Sequence, residues 1–142
     1  MFLGTVFHTI DEKGRIVLPP RFRLSLGERF IITCGLRRTL HIHTSDAWQK
    51  IAAQLADAGA FSSAANLLRT VFAGGAEEVS TDAQGRLTIP PPLREFAELA
   101  GDVVILGSIT KIEIWSRARW TAFCENLDDD QLEDAARELN LN

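Results

Sequence analysis

Two short runs carry the residues best suited to chemistry. Asp11–Arg23 reads DEKGRIVLPPRFR, and Asp82–Glu95 reads DAQGRLTIPPPLRE. Each places an aspartate four positions before an arginine, with a glycine between them. Aspartate at a turn start can bond its own backbone, and glycine takes the positive φ that reverses a chain. The arginine carries a planar fork of donors that suits guanine O6 and N7 together, or phosphate. A lone Asp-x-x-Gly-Arg run reads as a surface turn with an exposed ion pair of little worth. Duplication changes that reading. The aspartate and glycine recur because both copies must fold, but an exposed turn arginine has no folding reason to recur, yet Arg15 and Arg86 both stand there. The chemistry indicated is contact with double-stranded DNA. One arm would use Asp11, Lys13 and Arg15, the other Asp82, Gln84 and Arg86, with Gly14 and Gly85 forming the turns. Arg21, Arg23 and Arg94, beyond the proline stops, are candidates for phosphate contacts and fit ion pairs about as well.

The elements that must position these arms also repeat. Ile16, Leu18 and Phe22 correspond to Leu87, Ile89 and Leu93 at an offset of 71. Downstream, Phe30–Gly35 answers Val103–Gly107, Leu40–Ile42 answers Ile112–Ile114, and Trp48 answers Trp120. A repeat of this length is one supersecondary unit used twice. Each unit reads as strand, glycine turn, strand, proline stop, short helix, strand, turn, strand, helix. Thr5–Ile10 alternates as a strand, and with Arg15–Leu18 it predicts a β-hairpin or a looser strand-turn-strand. Pro19-Pro20 and Pro90-Pro91-Pro92 end the second strand of each unit. Short helices follow over Arg21–Leu26 and Leu93–Ala100, closed by Gly27 and Gly101. Ser45 is expected to cap a helix to about Ala58, and Ser62 or Ser63 a second one whose apolar stripe runs to Phe72. That second helix has no counterpart later and reads as the connector docking one unit on the other. Ser116 caps a helix bearing Trp120, Phe123, Cys124 and Leu127, and a last amphipathic helix carries Leu132, Ala135, Ala136 and Leu139. The expected class is mixed α+β. The expected division is residues 1–60 and 77–127 as the two units, 61–76 as the connector and 128–142 as an acidic C-terminal helix.

Composition sets bounds. The chain has 142 residues, enough for one ordinary domain or two half-domains too small to bury much core alone. Its net charge of −4 argues against a nucleic-acid partner, but the charge is unevenly placed. Residues 1–40 carry a balance of +4, and residues 121–142 carry −6. No long apolar run predicts a membrane span, and the N-terminus lacks the charged start of a signal peptide. Cys34 and Cys124 occupy unrelated repeat positions and are expected to be free buried thiols in a reducing cytoplasm.

Other chemistries are poorly supplied. His41 and His43 share one face of a strand and could in principle hold a metal. Without a cysteine or carboxylate cluster at ligand spacing, a core or surface role is expected, and no cofactor. There is no phosphate-cradling glycine loop, no nucleophile elbow and no placeable Ser–His or Cys–His pair, so no enzyme is expected.

The doubled motif resembles the MraZ family of bacterial regulators. The similarity extends to Met1-Phe2-x-Gly4, to Arg69 and Phe72-Ala73, and to Gly107, Lys111–Trp115 and Trp120. The resemblance implies two tandem swapped-hairpin units of the AbrB type in a ring of many subunits. It also implies a cytoplasmic, nucleoid-associated regulator that represses its own operon, ahead of division and cell-wall genes, by binding short G-rich direct repeats. The DNA-binding Asp-x-x-x-Arg signature then falls on Asp11 with Arg15 and on Asp82 with Arg86. Two departures stand out: His41-Ile42-His43 where a more aromatic strand end is expected, and Gln84 in place of a second cation. Against this stands a protein-binding module of the same type, such as an antitoxin, acting through the C-terminal helix.

Overall fold

The computed structural model describes residues 1–141. In chain order it contains β1 (Phe2–Ile10), β2 (Arg15–Val17), α1 (Pro20–Leu26), β3 (Phe30–Cys34), β4 (Leu40–Thr44), α2 (Ser45–Asp57) and α3 (Ser63–Leu68). A π turn follows at Arg69–Ala73, then β5 (Glu77–Val79), β6 (Arg86–Thr88), α4 (Pro91–Phe96), β7 (Gly101–Ile109), β8 (Ile112–Ser116), α5 (Arg117–Glu125) and α6 (Asp129–Glu138). The class is α+β, built from two tandem units packed as one pseudo-symmetric body.

Strand pairing departs from the simple hairpin. The turn after β1 closes like one, Asp11 N–H donating to the Arg15 carbonyl at 3.0 Å. The two strands then part. β1 pairs along its full length with β7 of the second unit, and β2 pairs with β6. In return β5 of the second unit pairs with β3 of the first. The main sheet runs β1-β7-β8-β4-β3-β5, every pair antiparallel, and β2 with β6 forms a separate two-stranded ribbon. Each unit thus lends its first strand to the other. The physical reason lies in the proline stops: a ribbon strand of three residues cannot satisfy a nine-residue β1, whereas β7 matches it residue for residue.

The core lies between the ribbon with α1 and α4 on one side and the main sheet on the other. Period-two alternation sends Ile16 and Leu87 inward as a directly opposed pair, each 1% exposed. Leu18, Ile89, Phe22, Leu93, Phe30, Ile32, Ile42, Ile105 and Ile114 close around them. The sheet's other face is aromatic. Trp115 packs edge-on against Trp120 at 5.3 Å and near Phe123, and His43 lies 5.9 Å from Trp48 of α2.

Several local expectations shift. Thr44 rather than Ser45 caps α2, its hydroxyl accepting from Ala47 N–H at 3.1 Å, because the strand runs one residue further before the chain turns. Ser62 and Ser116 cap α3 and α5. α4 stops at Phe96, well before Gly101, because Glu98 adopts φ +54. Cys34 is buried, but Cys124 is exposed, since Trp120 and Phe123 occupy the inward side of α5. The connector docks on the first unit, Thr33 Oγ1 donating to the Phe72 carbonyl. α6 forms on its own capping, Asp128 accepting from Asp130 N–H at 3.0 Å with acids in the first turn.

Leu87→Ala empties a fully buried site shared by both units. It should lower unfolding free energy by about 2–5 kcal/mol. Urea denaturation followed by circular dichroism should show one transition, because neither unit retains a complete core.

Candidate nucleic-acid interface

The two arms have the same geometry. Asp11 Oδ1 accepts from the Lys13 and Arg15 backbone N–H groups at 3.0 and 2.8 Å, and Oδ2 accepts from Arg15 Nε at 2.7 Å. Asp82 does the same with Gln84 N–H, Arg86 N–H and Arg86 Nε at 2.9, 2.9 and 2.7 Å. Gly14 and Gly85 sit at φ +77 and +78, which the turn requires. One carboxylate therefore builds the turn with one oxygen and aims the guanidinium with the other. Among the described residues only the Nε–H of each arginine side chain is used, so both terminal amino groups of each fork remain to bind a partner.

These bonds favour the ionised carboxylate. The Arg15 backbone N–H, the largest influence, holds Asp11 below its ordinary value of 3.8, and the Arg86 N–H does the same for Asp82. The carboxylates are exposed, so the pairs act on orientation more than on stability.

The ribbon places both arms on one surface. In its register Arg15 lies opposite Thr88 and Val17 opposite Arg86, around the central Ile16–Leu87 pair. Alternation turns Arg15, Val17, Arg86 and Thr88 away from the core. Val17 and Thr88 were not singled out from the sequence; the strand period was the available signal. Lys13 and Gln84 stand exposed at opposite ends of the ribbon.

The arginines beyond the prolines separate. Arg21 is exposed, its guanidinium 4.8 Å from the Phe22 ring centroid. Arg23 and Arg94 instead reach across to the other unit's turn. A Cβ at Gly85 would lie 2.5 Å from the Arg23 guanidinium carbon, and one at Gly14 would lie 2.5 Å from that of Arg94. Among the described residues, no acidic side chain pairs with Arg23 or Arg94.

The histidines lie away from the arms. His43 is buried and His41 partly so, their rings 5.8 Å apart edge-to-face beneath α2 and the π turn. Burial lowers His41 to about 3 and His43 to about 4, with the Lys111 cation adding to both. Both are thus neutral core groups near pH 7. Among the described residues no three His, Cys, Asp or Glu side chains gather as a metal site, and no helix is long and apolar enough to cross a membrane.

A family model described as "MraZ protein, putative antitoxin-like" matches the chain twice, over residues 1–71 and 72–142. The chain belongs to the MraZ family. It is 40% identical over 129 residues to a protein of Moorella thermoacetica, covering 91% of this chain and 90% of the relative. A protein of Halothermothrix orenii is 39% identical over 136 residues, covering 96% and 95%, and one of Desulfitobacterium hafniense 39% over 141 residues, covering 99% of both. Each bears the name "Transcriptional regulator MraZ". The two MraZ repeats meet at the π turn, and the arms Asp11–Arg15 and Asp82–Arg86 fall one in each.

The buried histidines set a pH dependence. Their folded values lie below the ordinary 6.5, so between about pH 6.5 and 4 the unfolded chain binds more protons. Their contribution to stability is complete above 6.5 and falls as the solution is acidified. Urea midpoints measured from pH 7.5 to 4.5 should decline, and a His41→Gln, His43→Gln variant should show a flatter slope whatever its starting stability.

Proposed function

We propose that this chain is a sequence-specific DNA-binding transcriptional regulator that reads the major groove with the β2–β6 ribbon. The observation that carries the reading is the pair of arginine forks, each fixed at Nε by an aspartate and each left with two free amino groups, on one exposed two-stranded surface. A two-stranded ribbon fits the major groove, and an arginine fork suits guanine. Fixing the forks beforehand lowers the entropy lost on binding. Val17 and Thr88, on the same surface, offer methyl groups to thymine. Lys13 and exposed Arg21 supply phosphate contacts that set register, and Gln84 makes the second arm the less basic of the two.

One ribbon binds few bases. Several on one homo-oligomeric body gain by effective concentration, which suits a ring of subunits on short G-rich direct repeats. The exposed apolar side chains Leu3, Phe7 and Phe61 are available for subunit contacts. On the promoter of its own operon, ahead of division and cell-wall genes, such a ring represses by blocking polymerase. The working units in this reading are residues 1–60 and 77–127, joined by 61–76.

The test is fluorescence anisotropy with a duplex of in-phase G-rich repeats and a scrambled duplex, at several salt concentrations. Wild type should prefer the repeats and weaken steeply with salt. Arg15→Ala and Arg86→Ala should each cost roughly tenfold or more, the scale of a lost bidentate contact. Lys13→Ala should weaken both probes alike and lower the salt slope by about one. Equal weak binding to both duplexes, unchanged in the double arginine variant with the oligomer intact, would sink the reading.

One observation favours a second reading. α6 leaves Leu132 and Leu139 exposed at 51% and 68% on an acidic helix. A protein-binding module of antitoxin type would use that face. Truncation after Leu127 should leave DNA binding intact under the first reading, and abolish partner binding in a chain that never bound DNA under the second.

A further inference from the structure

Arg23 and Arg94 hold equivalent places in α1 and α4, each four residues after the first proline of its stop. Their backbones are fixed alike, Arg23 N–H donating to the Pro19 carbonyl at 3.1 Å and Arg94 N–H to the Pro90 carbonyl at 3.0 Å. From these short helices each guanidinium crosses to the other unit. There it lies so close over the turn glycine that no Cβ would fit. The same turns receive backbone bonds from across the ribbon, Leu18 N–H to the Gly85 carbonyl at 3.1 Å and Ile89 N–H to the Gly14 carbonyl at 2.8 Å.

We propose that Arg23 and Arg94 are positioning residues that act reciprocally, Arg94 setting the turn that carries Arg15 and Arg23 setting the turn that carries Arg86. The inference rests on the DNA-reading role above only for its consequence in binding. Two further observations support it. The Nε atoms of both arginines are buried and lack hydrogen-bond partners among the described residues. Buried donors without partners are rare, and here the planar face of the guanidinium is what the site uses. Nor does either arginine find an acid among the described residues, so an ion pair does not explain its placement. A flat, stiff group laid on a glycine turn restricts that turn directly. Through the aspartate it restricts the fork that follows. Each arm's aim is thus set by the unit that does not contain it.

The direct test is hydrogen exchange by mass spectrometry on the full-length protein without DNA. Arg94→Ala should speed exchange of the 11–15 amides roughly tenfold and leave the 82–86 amides unchanged, while Arg23→Ala should do the reverse. The β7 and β8 amides report whether the core survives. If an alanine variant loses the core, Arg94→Lys and Arg23→Lys are measured instead, since they keep the charge and stem but lose the plane. Loosening of the arm in the mutated unit, of both arms equally, or of neither with the core intact would overturn the proposal. A second measurement concerns DNA. Arg94→Ala should add nothing to Arg15→Ala in binding, and should add its full effect to Arg86→Ala. If wild type binds no DNA, the regulator reading fails while the exchange pattern still decides the bracing.

Discussion

The opposed pair of Ile16 and Leu87, almost wholly buried at the centre of a three-residue ladder, joins the two arms to each other and to the shared core. Burying two such side chains is worth roughly 1.5–3 kcal/mol each. Their pairing sets the register in which Arg15 and Arg86 face outward. It also brings each turn under the arginine of the opposite unit. The exchange of β1 and β5 between the two units then follows, since a unit whose second strand is committed to the ribbon cannot also close on its first.

The arms show how little energy it takes to fix the direction of a side chain. In each Asp–Arg pair the carboxylate is exposed and the arginine half-buried, and such surface pairs add little to folding. What the aspartate does is remove freedom: three hydrogen bonds to one carboxylate leave the fork one direction in which to point. The cost of that rigidity is carried by the buried ribbon beneath it.

Much of this was legible in the residues. The doubled Asp-x-x-Gly-Arg run, the proline stops and the inward places of Ile16, Leu18, Leu87 and Ile89 follow from turn chemistry and period two. Partner choice does not. A strand period says that Thr5–Ile10 pairs with something; it carries no mark of β7 as the partner. The resemblance to a swapped-hairpin family implied an exchange of strands but not which strands pair. The cap of α2 moved by one residue because Thr44 and Ser45 are both competent caps and strand length decided between them. Arg23 and Arg94 were ambiguous because their destination lies across a pseudo-twofold that exists only after folding. For His41 and His43 the absence of a ligand cluster pointed to a core or surface role; that Trp48 and Phe72 are what they pack against depends on the folded sheet.

Two separate chains that built such a ribbon would come apart on dilution, since folding and association would be one event. Here the counterpart strand is tethered through residues 61–76, and short tethers hold their ends at effective concentrations on the order of millimolar. The ribbon therefore exists at any copy number the cell maintains. The tether also frees the two arms to differ. In a symmetric dimer any change at one turn appears at both; in this chain Lys13 and Gln84, or Val17 and Thr88, can be chosen separately. The molecule keeps the architecture of a dimer and acquires a head and a tail.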